Sequence, residues 1–442
     1  TIHVAAILRG RDSGPTGKFR DTVFSDIARA AQYLKRTPNW DERAIFKKVG
    51  DRYVNLFPTA FEVSEFFRRH QGQLLAVDTE TTGSSPLDCR LICVGFAAED
   101  GDCICVPILR QGGKPYWSAS ELDQVWALLR YVLCSSWWPK LFHNGSFDYL
   151  VFWAHGIAVE GWDRDSLLGH HVVDAELPHS LAYVSSRYLE VPYYKQDVRD
   201  GGAWIDLDDQ LIRVYNLRDC ICTVRADAVL APQIEKLDLT RLYKAEIALA
   251  KVMCRASIRG MKVDFERRDS LVPIADQYVL DDKGKATSQV NPDFGYPSGL
   301  GPRLRIRREE ALVELKRIAG HPEFNPASPV QLKWFLYDQL KFPVLKRTEK
   351  TNAPSTDKEA LVLLSVLAST PNQKTALKSL AKWRRSTKIL STWVEGLPIL
   401  GDGRLHPTWK VHGTGSGRMA SSPNAQNWNK PIKRIFTCDP GH

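Results

Sequence analysis

The chain has 442 residues, 43% of them hydrophobic, which is enough for roughly two or three domains with buried cores. Its formal net charge of +9 points to a polyanionic partner, and no apolar run reaches the length of a membrane span. Nine cysteines are scattered along it, and neither Cys103-x-Cys105 nor Cys220-x-Cys222 has zinc-ligand spacing, so buried thiols in a reducing compartment are expected rather than a disulfide framework.

The opening Thr1-Ile2-His3-Val4 lacks a basic stretch followed by an apolar core, and no signal peptide is expected. Helical spacing at Val23, Ile27, Ala30, Ala31 and Leu34 predicts one helix, and a second is expected over 58–70. The loop from Arg9 to Gly17 reads as solvated, and residues 1–70 are assigned no function. An apolar run over 74–77 then predicts a strand that ends at Asp78-Thr79-Glu80. Alternate residues of a strand share a face, so Asp78 and Glu80 leave it together. Two like charges repel and are costly to desolvate. The pair is therefore either a solvated strand end or a seat for a hard divalent cation such as Mg²⁺.

Strands over 90–97 and 102–108 continue an antiparallel meander. An amphipathic helix over 118–133 leads to a strand over 140–143, expected parallel to the first through a right-handed crossover. Asn144-Gly145 is a turn signal, followed by a helix that carries Asp148 in its first turn. Asn144 either caps that helix or touches a substrate, and Phe147 reads as core. Helices are expected near 167–173, over 180–189 and from 208 into the 230s. His170 and His171 read as satisfied parts of the first of these, not as metal ligands. In the last, Tyr215 and Asp219 are four apart and share a face. Beyond 236 the pattern is helical, over 242–258 and 264–280. A Gly-, Pro- and Asp-rich exposed tip over 281–302 precedes the basic opening of another helix at Arg303, Arg305, Arg307 and Arg308.

Asp78-Thr79-Glu80, Asn144-Gly145-Ser146-Phe147-Asp148 and Tyr215-Asn216-Leu217-Arg218-Asp219 stand in order along the chain. Together they resemble the three motifs of the DEDD 3′–5′ exonucleases, in the subgroup with tyrosine in the third motif. Residues 165–181 are similar to the stretch between the second and third of these motifs in family A DNA polymerases. Phe324-Asn325-Pro326-Ala327-Ser328-Pro329-Val330-Gln331-Leu332, Pro354-Ser355-Thr356, the run over 380–388, and Gly413-Thr414-Gly415-Ser416-Gly417-Arg418 resemble later segments of the same polymerases. The last departs from the family pattern with Ser416 inserted, Ala420 in place of serine and a shortened spacer before Pro423.

The resemblance covers about 70–442. It implies an α/β, ribonuclease-H-like exonuclease domain with a mixed sheet over 71–235. A mostly helical thumb over 236–395 and the first palm segments over 396–442 would follow, with 1–70 of unknown role. It implies phosphodiester hydrolysis with two ions, Mg²⁺ or Mn²⁺. Asp78, Glu80 and Asp219 would hold one and Asp148 with Asp78 the other, and Tyr215 would orient the attacking water. A single-stranded 3′ end would meet Asn144. Duplex phosphates would meet Arg303, Arg305, Arg307, Arg308, Lys382, Arg384, Arg385 and Lys388, and the primer–template groove Arg418, Asn424, Gln426 and Asn427. The setting implied is the cytoplasm of a bacterium or phage-infected cell, at the nucleoid. The sequence stops ahead of the family's catalytic palm motif, so polymerisation is expected to need the missing palm and fingers, with a second polypeptide as one source. A standalone DEDD exonuclease acting on DNA or RNA, and a non-catalytic DNA-binding subunit, are the competing readings.

Overall fold

The computed structural model describes residues 54–189, 191, 203–265, 278–280, 286–290, 300–348, 351–425, 428, 433 and 435–439. The helix expected from Thr22 to Leu34 lies outside these. The chain forms two compact units, Thr1–Ile258 with Thr408–Ser422, and Arg259–Pro407 with Pro423–His442.

The first unit runs β1 (Val54–Asn55), α1 (Ala60–Arg69), β2 (Leu75–Thr81), β3 (Leu91–Ala98), β4 (Cys103–Pro107), α2 (Ala119–Leu133), β5 (Lys140–Phe142), α3 (Ser146–Ala154), β6 (Trp162–Asp165), α4 (Ser166–Val173), α5 (Leu181–Tyr188), α6 (Asp209–Lys236) and α7 (Thr240–Arg259). Its sheet has the order β1-β4-β3-β2-β5-β6. β2, β3 and β4 form the expected antiparallel meander, and β5 returns parallel to β2. β6 adds parallel to β5, and β1 parallel to β4. The sheet is thus mixed, as expected.

Period-two alternation divides its side chains between two cores. Leu75, Val77, Val94 and Phe96 pack with Val63 and Phe66 of α1, Val125 and Leu129 of α2, and Val151 and Phe152 of α3. Ala76, Cys93, Ala97 and Cys105 point the other way, against Ile212, Leu217 and Cys220 of α6. The cysteines among them are buried thiols, part of the core as the sequence suggests. Thr59 and Ser118 close capping boxes with Glu62 and Glu121, which set where α1 and α2 begin. Thr408–Lys410 and Ala420–Ser422 pair antiparallel and belong to this unit.

One expectation is corrected here. β2 is not confined to the apolar run over 74–77. It runs through Thr81, with a register shift only between Glu80 and Thr81, so Asp78 and Glu80 are strand residues.

In the second unit the strand Met261–Val263 lies between Arg404–Leu405 and Phe436–Thr437, antiparallel to both. The helices are α8 (Leu300–Ala319), α9 (Pro329–Lys333), α10 (Lys358–Leu367) and α11 (Pro371–Ile389). Leu315 on α8 and Ala376, Leu377 and Leu380 on α11 pack with Phe324, Phe335 and Leu364. The helix expected over 264–280 is not continuous. Tyr278–Leu280 is a strand paired antiparallel with Ala286–Val290, so part of the expected loop is a hairpin. Aromatic and β-branched residues at Tyr278, Val279, Thr287 and Val290 favour that pairing. Among the described residues no helix is long and apolar enough to cross a membrane.

Candidate active site

β2 places three consecutive side chains, and each anchors a different part of the site. Asp78 is half-buried and sits directly across from Gly95 of β3. Asn216 of α6 donates from Nδ2 to the Asp78 backbone oxygen at 3.1 Å and to its Oδ2 at 2.9 Å. α6 comes this close because Gly95 has no side chain. A Cβ there would lie 2.3 Å from Asn216 Oδ1 and 2.7 Å from Cys220 Sγ. The same helix carries Tyr215 and Asp219, both buried, with the Tyr215 ring edge-on to Trp204 at 5.4 Å.

Thr79 points to the opposite side of the sheet. Asp148, in the first turn of α3 and 4% exposed, accepts from Thr79 N at 3.0 Å and Thr79 Oγ1 at 2.6 Å. Burial raises the Asp148 carboxyl to about 7 in spite of those bonds. Glu80, the third residue, is 7% exposed.

Gly95→Ala is therefore expected to push α6 away from β2. A displacement of about 1 Å in a positioned group costs around a hundredfold in rate, and overpacking destabilises by roughly 1–3 kcal/mol. Turnover of the variant and its urea midpoint check this. Wild-type values for both would mean that α6 yields without moving Tyr215 or Asp219.

The turn before α3 is held by Asp165, a residue the sequence reading did not single out. Its fully buried carboxylate caps α4 at Leu167 N and Leu168 N, and also accepts from Asn144 N at 3.2 Å and Gly145 N at 2.8 Å. Burial lifts it to about 6. Its place just ahead of an apolar helix was the available signal. Asn144 adopts a left-handed φ of 69° and does not cap α3: the cap residue is Gly145, with no side-chain bond. Asn144 and Phe147 instead line a cavity of about 190 Å³ with Ser146, Met253, Ser257 and Trp409. Phe147 is half-buried, touching the core with one side.

Among the described residues the one group of three potential ligands with donor atoms within 4.8 Å of each other is His70, Asp100 and Asp102, and it includes none of the motif acids. The motif acids still suit hard divalent cations. They offer only carboxylate oxygens, and Glu80, Asp148 and Asp219 are buried, where an uncompensated negative charge is costly. The raised Asp148 pKa is that cost made visible.

His170 and His171 on α4 are buried with His179 and His412 nearby, and His170 Nδ1 lies 2.7 Å from His179 Nδ1. Burial lowers His170 to about 3 and His179 and His412 to about 4. Their folded values lie below the unfolded value near 6.5. In that interval the unfolded chain takes up protons that the folded chain refuses. Their contribution to stability is present above pH 6.5 and lost as pH falls towards about 4. Asp148 and Asp165 act in the opposite sense, so the comparison is with a variant. His412→Asn is expected to lose less stability than the parent between pH 6.5 and 4.5 in urea unfolding. Equal losses would remove the histidines from the acid response.

The basic residues of the second unit separate by exposure. Arg303 is 3% exposed, with its side chain inside the unit. Arg305 is exposed and pairs with Glu395 at 2.9 Å, while Arg307 and Arg308 are half-buried. Lys382 pairs with Glu310 at 2.8 Å, and Arg384 donates to Thr356 O at 2.7 Å. Arg385 and Lys388 are exposed on α11, and Asn424 is exposed. Arg418 is exposed in the first unit. Gln426 and Asn427 lie outside the described residues.

A mixed α/β sheet that gathers three acidic motifs around its first long strand defines the class: a 3′–5′ exonuclease domain, joined to a largely helical second unit. Residues 54–235 match the 3′–5′ exonuclease family and residues 299–441 match DNA polymerase family A. The chain thus joins a segment of the 3′–5′ exonuclease family to a segment of DNA polymerase family A. It is 26% identical to DNA polymerase I of Synechocystis over 82% of its length, and 28% identical to that of Pseudomonas aeruginosa over 81%. It spans 34% and 37% of those two proteins. The fold is similar to that of the POL domain of Pol1 from M. smegmatis, solved in complex with DNA primer-template and dNTP. The TM-score is 0.59 at 21% identity, covering 88% of this chain and 59% of that one.

Proposed function

We propose that this chain removes nucleotides one at a time from the 3′ end of single-stranded DNA, with Asp78, Glu80, Asp148 and Asp219 holding two divalent ions. When bound, such ions activate the attacking water and offset charge on the leaving 3′-oxygen. Tyr215 keeps that water in line through its hydroxyl, and Asn216 fixes Asp78 from the same helix. Asn144 and Phe147, in the cavity wall, take the terminal nucleotide, which must unstack to enter. The observation that carries this reading is the placement of buried acids from β2, α3 and α6 around one strand.

The test is hydrolysis of DNA labelled at its 5′ end, with Mg²⁺, with Mn²⁺ and with chelator. A ladder shortening from the 3′ end, release of 5′-mononucleotides and loss of activity in chelator are expected. Cleavage from the 5′ end, or hydrolysis in chelator, would overturn the assignment.

For the second unit the reading is duplex binding through exposed cations of α8 and α11. Arg385→Glu with Lys388→Glu is expected to flatten the dependence of DNA affinity on salt. Each phosphate contact adds about 0.9 to the log–log slope, so two lost contacts reduce it by roughly two. An unchanged slope would assign these charges to solvent alone.

A further inference from the structure

α1 ends at His70, whose side chain is 3% exposed. His70 Nδ1 lies 2.8 Å from Phe66 O. A carbonyl only accepts, so Nδ1 carries the hydrogen and, in the neutral ring, Nε2 presents its lone pair. That lone pair faces the turn between β3 and β4. Asp100 Oδ2 is 3.4 Å from it and Asp102 Oδ2 is 3.6 Å away. Both separations are longer than the roughly 2.7–2.9 Å of a charge-assisted hydrogen bond. They match the spacing of two ligands around one tetrahedral cation, roughly 3.4 Å for metal–ligand bonds of about 2.0–2.2 Å.

We propose that His70, Asp100 and Asp102 bind a divalent transition ion of the Zn²⁺ type, distinct from the ions of the exonuclease carboxylates. Imidazole selects such an ion over Mg²⁺. The Nδ1–H bond to a backbone carbonyl is the usual support for a metal-bound histidine, since it fixes the tautomer and aims the ring. Asp100 is aimed as well, because its Oδ1 accepts from Asp102 N at 2.9 Å. Arg69 Nη1 lies 2.6 Å from Asp102 Oδ2. A carboxylate oxygen has two lone pairs and accommodates both partners. Asp100, Asp102 and Arg69 together carry one net negative charge, which a cation offsets. The bound ion pins the end of α1 to the β3–β4 turn, a structural task. The competing arrangement is a metal-free contact of His70 with the two carboxylates.

The experiment uses the full chain with Asp78→Ala and Glu80→Ala to weaken the exonuclease site, and with the exposed Cys134 and Cys438 alkylated. Equilibrium dialysis against Zn²⁺ near pH 7.5, where an ordinary imidazole is neutral, is expected to show about one ion bound per chain at micromolar concentration. His70→Gln in that background abolishes this uptake. Asp100→Asn weakens it by about tenfold or more with an unchanged circular dichroism spectrum. Asp100 is exposed, so that variant decides the matter if His70→Gln fails to fold. Uptake unaffected by Asp100→Asn, or none at about 100 µM Zn²⁺, would overturn the site.

Discussion

Replacing Asp78 and Glu80 together by alanine is expected to lower hydrolysis from the DNA 3′ end by about a thousandfold or more. Charge stabilisation by bound ions supplies several kcal/mol, and each 1.4 kcal/mol or so is a factor of ten. The fold is expected to survive. Asp78 and Glu80 are like charges two residues apart on one face of β2, so their removal relieves repulsion. Asn216 Nδ2 loses Asp78 Oδ2 but keeps the Asp78 backbone oxygen at 3.1 Å. Thermal unfolding of the metal-free double variant should match the parent or exceed it. Single-turnover hydrolysis at saturating Mn²⁺ separates lost chemistry from weak metal binding. Parental rates under those conditions would remove both residues from the site.

Tyr215→Phe is expected to slow hydrolysis by roughly ten- to a thousandfold with little change in DNA affinity, as for groups that orient a reacting atom. The phenyl ring keeps its edge-on contact with Trp204 at 5.4 Å, so α6 stays seated. Only the hydroxyl is lost. The diagnostic is the split: the rate constant falls while the dissociation constant for single-stranded DNA, measured in Ca²⁺, holds. A variant as fast as the parent would leave Tyr215 as packing of the α6 core.

Much of the candidate site can be read from the sequence because its acids obey local rules. Asp78 and Glu80 are two apart on a strand, and Tyr215 and Asp219 are four apart on a helix. The residues that hold those acids were not legible, because their bonds join distant segments. Thr79 reaches Asp148 across 69 residues and Asn216 reaches Asp78 across 138. No periodicity announces such a pair. β6 was missed because Trp162-Asp163-Arg164-Asp165 is mostly charged, with no apolar alternation for a strand to show. The basic run at the start of α8 reads as one surface for duplex phosphates, yet Arg303 is turned inward while Arg305 faces water. A helix of 3.6 residues per turn cannot expose every member of such a run.

The first unit is not contiguous in the chain, and this sets the order of events during synthesis. Val411 is buried in the same core as Val125 of α2 and Phe152 of α3. The segment that carries it, Thr408–Ser422, leaves the ribosome only after the 149 residues from Arg259 to Pro407. At about 5–20 residues per second the delay is roughly 7–30 s. For that time the nascent exonuclease unit lacks part of its own core, and its apolar gap is open to chaperones and to neighbouring chains.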